Sequence, residues 1–233
     1  MDDVTLTLVD LNPKMIEAWL AVFDGEPGVE IVLGSLLDER ASAWVTPTNS
    51  RAQMNGGVDG AVRARLGASI QSRVRRAVSH AWGDFIPVGA ATCVETGRSV
   101  PSYLISTPTM LDCAEDISAT LNVALATAAA LQAVRTQNRR CPGSIRSVAM
   151  PGLGAGTGRV PMSVCADLMW TAWHLFEHHE FDSFEAMRAA LEAELGDLGP
   201  MSTTAPAPMP ATVRATRGPV LPRPFHGYGR AIA

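Results

Sequence analysis

Two glycine-bearing stretches hold the residues of this chain best suited to chemistry. The first runs Val45-Thr46-Pro47-Thr48-Asn49-Ser50 and on to Asn55-Gly56-Gly57-Val58-Asp59-Gly60-Ala61. A short apolar strand ends, two adjacent glycines follow, and a helix begins at about Val58. Glycines there let the backbone come close to a ligand, and the free N–H groups of a helix N-terminus favour an anion. Asp59 falls in the first turn, where an acid taken alone reads as a partner for the helix dipole. The second stretch is Met150-Pro151-Gly152-Leu153-Gly154-Ala155-Gly156-Thr157-Gly158-Arg159-Val160-Pro161. Its glycines alternate between a strand and a helix, giving a second turn able to cradle an anion. No lysine follows, so it is not a GxxxxGK[ST] phosphate loop. The GxGxxG spacing is only approximate, and it lies too late in the chain for a dehydrogenase-type nucleotide fold. One such loop is commonly a tight turn; two, both strand-to-helix, point to a diphosphate ligand.

Other clusters carry less. His174, His178 and His179, with Glu177, give an HxxxH spacing that could set two imidazoles on one helix face. No third ligand is apparent, and Trp170, Trp173 and Phe176 share the segment, so no metal is expected. Arg63, Arg65, Arg73, Arg75 and Arg76 read as a solvated helix face. Cys93, Cys113, Cys141 and Cys165 lack CxxC spacing and read as reduced filler.

The elements that must position the two loops alternate along the chain. Strand-like segments fall at 4–9, 29–33, 43–46, 90–95, 103–107 and 144–150. Helical spacing falls at 12–23, from 58 to about 81 with a break near Gly67, and at 115–138, 161–177 and 184–195. The alternation predicts a three-layer α/β/α fold around a mixed, largely parallel sheet, with ligands at the carboxyl ends of the strands. Residues 1–198 read as one domain. From Pro200 on, seven prolines in 34 residues predict a disordered tail, too poor in apolar surface to offset its ordering entropy.

Composition narrows the function. At 47% hydrophobic and 18% charged, the chain is globular. The tail holds four arginines and no acid, which leaves the first 199 residues with 15 basic against 23 acidic, a net of −8. A body that acidic is not expected to bind nucleic acid without regard to sequence. The longest apolar run, 121–131, is broken by Asn122 and Thr127 and is too short to cross a membrane. The acidic start MDDVTLTLVD is not a secretion signal, and a cytoplasmic protein is expected.

The string VTPTNSRAQMNGGVDGAV resembles the macrodomain pattern, in which a strand ends in an Asn-x-x-Asn turn followed by Gly-Gly-Val-Asp-Gly and a helix. MPGLGAGTGRVP resembles that family's second phosphate loop, and the likeness spans roughly residues 29–177. The resemblance implies that the chain binds ADP-ribose, or a macromolecule carrying it, with the diphosphate between the two loops and no cofactor. It places Asn49 on the distal ribose and the backbone of Gly56, Gly57 and Val58 on one phosphate. Gly154, Ala155, Gly156, Thr157 and Gly158 wrap the other. Asn49 and Asp59 are the candidate catalytic residues, Asp59 helping to position a water at the anomeric carbon. Ser35 and Leu36 fall at the adenine end. Three departures stand out: Gly34-Ser35-Leu36 where the family commonly has Gly-Asp-Ile, Thr46 for the first Asn of the turn, and Gly158 for an aromatic. Asp38 could replace the missing acid. Two readings follow: a hydrolase acting on ADP-ribosyl or O-acetyl-ADP-ribose linkages, and a reader that binds without turnover.

Overall fold

The apolar alternation of Leu6 and Leu8 makes β1 (Thr5–Asp10), a strand buried along most of its length. In the computed structural model, which describes residues 4–112 and 115–197, β1 lies second from one edge of a six-stranded sheet. Cys113 and the proline-rich segment from 199 lie outside the described residues. The remaining strands are β2 (Val29–Leu33), β3 (Ala43–Asn49), β4 (Thr92–Glu95), β5 (Tyr103–Met110) and β6 (Ser147–Met150). Their spatial order is β2-β1-β6-β3-β5-β4. All neighbours run parallel except β4, which pairs antiparallel with β5 at one edge.

The helices are α1 (Pro13–Phe23), α2 (Gly57–Leu66), α3 (Ser69–Trp82), α4 (Asn122–Arg140), α5 (Met162–His178) and α6 (Phe184–Asp197). Side-chain alternation divides them between the two faces of the sheet. Val45 and Ile105 point into a core shared with α1, α4, α5 and α6. Trp44 and Leu104 point the other way, into a core shared with α2 and α3. The three-layer α/β fold with a mixed, mainly parallel sheet is therefore present as expected.

Two helix boundaries show how local signals and packing compete. The break expected near Gly67 is there: that glycine has φ +100°, a region L side chains rarely adopt, and separates α2 from α3. The helix expected over 115–138 begins only at Asn122. Asp116 accepts from the Ser118 N–H at 3.0 Å and hydroxyl at 2.6 Å, forming a local turn. Ile117 is fully buried, and its N–H bonds the carbonyl of Gly158 at 3.0 Å. The segment thus spends its polar groups on local turns and, through Ile117, on the second glycine loop instead of on a helix. From Asn122 onward, runs of alanine allow α4 to be buried nearly all round, between the sheet and α5.

Candidate functional site

β3 and β6 are neighbours, with Ala43 opposite Val148 and Trp44 opposite Ala149. Because they run parallel, the two glycine loops leave the same edge of the sheet side by side. That adjacency builds the site.

The first loop is wound around Asn49. The side-chain oxygen of Asn49 accepts the N–H groups of Arg51 at 3.1 Å and Gln53 at 3.2 Å, while its amide nitrogen faces Gln53 Oε1 at 3.4 Å. Ser50 donates its N–H to Met110 and accepts from Ile86, so the turn is tied to β5 and to the loop after α3. Gly56 and Gly57 then lead into α2. A Cβ at either would meet nothing within 4 Å, so both face open space, and Gly57 has φ +52°. No side chain caps α2, and its first helical bond is Gly60 N–H to Gly56 O. The N–H groups of the first turn thus have no capping side chain, an arrangement suited to an anion.

Asp59 belongs to that turn but does not face solvent as a simple dipole partner would. It is 5% exposed and accepts a hydrogen bond from the hydroxyl of Thr46 on β3. Burial pushes its carboxyl up to about 7. Thr46 draws it back down through the hydrogen bond, whereas the buried hydroxyl of Thr48 has no hydrogen-bond partner. Thr46, a departure from the expected pattern, is thus the donor that holds Asp59.

The second loop has an inner and an outer side. Gly154 and Gly158 are buried, and a Cβ on them would come within 2.9 Å of Val123 and 2.7 Å of Ile117 respectively. These two glycines are set by packing on the start of α4 and on Ile117 just before it. Gly156 has nothing within 4 Å of an added Cβ and is exposed with Thr157, and Ala155 is half-buried between the two sides. Of the five residues expected to wrap a phosphate, the middle three form the open rim.

At the β1–β2 end, the Ser35 hydroxyl accepts the Leu37 N–H at 3.2 Å and so caps a single 3-10 turn, Leu36–Asp38. Leu36 is buried with its side chain in the α2–α3 core, whereas Asp38 is exposed. Asp10, missed in the sequence reading, joins the parts. Its carboxylate accepts the Gly152 N–H at 3.2 Å and the Asn12 N–H at 2.9 Å, and its carbonyl accepts from Gly34 at 3.0 Å. The only signal for it was its place as the last residue of a strand at the ligand edge. Exposed apolar side chains bracket the loops: Leu11 and Leu33 at this end, Phe85 and Leu111 at the other. The Arg51 guanidinium lies 4.6 Å over the Phe85 ring and pairs with Asp112 at 3.0 Å.

The histidines lie elsewhere, on and just after α5. His174 stacks on Trp170, and His178 bonds the carbonyl of His174 at 2.8 Å. Among the described residues, no group of three or more His, Cys, Asp or Glu is placed to hold a metal. None of the helices described is long and apolar enough to cross a membrane.

The chain is similar to known proteins in sequence and in fold. A protein of Aquifex aeolicus without assigned function is 35% identical over 149 residues, 64% of this chain and 82% of the relative. The macro domain-containing protein in the sno 5' region of Streptomyces nogalater is 26% identical, covering 72% of this chain and 92% of the relative. Among solved structures, the macrodomain of Mycobacterium tuberculosis DarG superposes with a TM-score of 0.51 at 22% identity, over 60% of this chain and 86% of that one. The Oceanobacillus iheyensis macrodomain with ADP gives 0.52 at 15% identity, over 70% and 90%. These two likenesses are of fold. A model of the Macro domain family matches residues 45–169, more than half of the chain and both loops with it, and the chain belongs to that family.

Proposed function

We propose that this chain binds ADP-ribose, free or attached to a macromolecule, with the diphosphate lying between the loops that follow β3 and β6. One observation carries the reading. Two loops from neighbouring parallel strands present their open glycines, Gly56, Gly57 and Gly156, at the same edge, beside the uncapped N-terminus of α2. Backbone N–H groups can hold an anion there although the body of the chain is acidic. Support comes from Oceanobacillus iheyensis macrodomains with ADP and with ADPR. In this reading the adenine lies toward Ser35 and Leu36, the distal ribose lies toward Asn49, and the protein works in the cytoplasm. Its free thiols at Cys93, Cys141 and Cys165 suit a reducing compartment.

The test is calorimetry with ADP-ribose and with AMP. ADP-ribose should bind at least tenfold more tightly, because a single phosphate engages only one loop; equal affinities would sink the reading.

Hydrolysis is the second reading, favoured by Asp59. A carboxyl held near 7 at the edge of the cradle can take a proton from a water attacking the anomeric carbon as the acceptor leaves with the bonding electrons. Incubation with mono-ADP-ribosylated protein, followed by assay of released ADP-ribose, separates a hydrolase from a reader.

A further inference from the structure

β4 ends the sheet, and among the described residues its outer edge pairs with no other strand. Its register with β5 shows which groups are left. Tyr103 N–H bonds Ser42 O, so the odd-numbered residues of β5 face β3 and the even-numbered ones face β4. Leu104 and Ser106 lie opposite Val94 and Thr92. By antiparallel alternation, Cys93 and Glu95 turn their backbone groups outward. One of these, the Glu95 carbonyl, accepts from Arg73 Nη1 at 2.9 Å. The N–H and C=O of Cys93 and the N–H of Glu95 remain.

In front of this edge lies a groove of about 860 Å³ between α3 and α4. Its charge opposes that of the rest of the body. Arg73, Arg76 and His80 follow one another on the groove side of α3 at spacings of three and four, and Arg140 closes the far side from the end of α4. Glu95 is the one acid in the lining. Among the described residues, no carboxylate lies within ion-pairing distance of Arg76 or Arg140. Thr92 also lines the groove, and its buried hydroxyl has no hydrogen-bond partner. The arginine row read from sequence as a solvated face therefore divides: Arg73 and Arg76 belong to the groove, whereas Arg75 does not line it.

We propose that this groove binds an extended acidic peptide segment of a partner protein, which adds to β4 as a further strand. The strand edge supplies backbone pairing, the four basic side chains select acids, and the floor of Ala77, Cys93 and Val94 takes small apolar side chains between them. A nucleic acid would satisfy the arginines but not the open backbone groups. The chain's own residues 200–233 carry four arginines and no acid, so charge does not favour them.

The test uses the full chain and fluorescence polarisation with a labelled Glu–Val octapeptide, Glu-Glu-Val-Val repeated twice, which puts acids on both faces of an added strand. Its controls are a Lys–Val counterpart, a Glu–Val peptide N-methylated at alternate residues, and oligothymidylate at the same salt. The Glu–Val peptide should bind. The pair Arg76→Glu and Arg140→Glu should weaken it at least tenfold, and Arg75→Glu should leave it unchanged, with circular dichroism melts matched across variants. N-methylation should abolish binding. The proposal is overturned by no binding of the Glu–Val peptide, by equal binding of the Lys–Val or N-methylated peptide, or by indifference to the arginine variants. Tighter binding of oligothymidylate would overturn it too, as would peptide binding that emerges only when residues 199–233 are deleted.

Discussion

Ile117 lies directly against Gly158: its N–H bonds the glycine's carbonyl at 3.0 Å, and a Cβ on Gly158 would come within 2.7 Å of Ile117 Cγ1. The second loop is thereby clamped from within, so its glycines divide into those the fold requires and those the ligand requires.

Gly158→Ala should destabilise the protein by about 1–3 kcal/mol through overpacking. Ile117→Ala leaves a cavity of its own, but it should cost less in that background than in the parent; the relief is partial, since the Gly154 carbonyl also stands 2.7 Å from the new methyl group. Thermal melts of the two single variants and the double variant check this; simple additivity would show that the contact is not the cause.

Gly56→Glu and Gly156→Glu should behave oppositely, leaving the melting temperature within a few degrees of the parent and abolishing ADP-ribose binding. Both positions open on empty space, and a carboxylate there would occupy and repel the phosphates. Gly57→Glu is a poorer probe, because φ +52° adds backbone strain of about 1 kcal/mol to the blockage. Calorimetry alongside melting decides; retained affinity in either variant would place the ligand elsewhere.

Asp59 should make the protein less stable as pH rises. Its carboxyl is raised from 3.8 to about 7, so between those values the unfolded chain gives up a proton that the folded chain keeps. The stabilisation is fully present below about pH 4 and is lost as pH climbs through about 7. It amounts to on the order of 4 kcal/mol at 1.36 kcal/mol per unit. Urea unfolding of the parent and of Asp59→Asn across that range should show a falling stability that the variant largely lacks. Parallel curves would mean the carboxyl titrates normally.

If the protein turns over ADP-ribosylated substrate, Asp59→Asn should lower the rate far more than it lowers ADP-ribose affinity. A carboxylate near the cradled phosphates adds little in the ground state and acts when water is oriented and positive charge develops. Asn49→Ala should lower both, and stability as well, because it unfastens the Arg51 and Gln53 N–H groups. Single-turnover rates and affinities on one substrate make the comparison. Absence of turnover in the parent would leave the reader as the function.

What could be read from the sequence follows how local each signal is. Gly56-Gly57 before a helix and the alternating glycines from Gly152 are local, and both loops stand where expected. The neighbourhood of β3 and β6 is not local, since strand order depends on the whole sheet. Residue type also does not tell which side of a loop a glycine faces, so Gly154 and Gly158 read like Gly156 until Ile117 is seen beneath them. The same Ile117 overrides the helical pattern of 115–121. An acid in a first turn reads as exposed, and only the approach of α2 to β3 buries Asp59 against Thr46.

The missing cap on α2 has a consequence for the empty protein. A helix whose first N–H groups find no acceptor frays, and here the fraying end begins at Gly56 and Gly57, where the backbone is least constrained. A bound phosphate would serve as the absent capping residue, closing the first turn and drawing it toward the loop after β6. The ligand would then complete the local structure as well as occupy it. Occupancy would be recorded in slower amide exchange at the start of α2, alongside the rise in global stability that binding to the folded state brings.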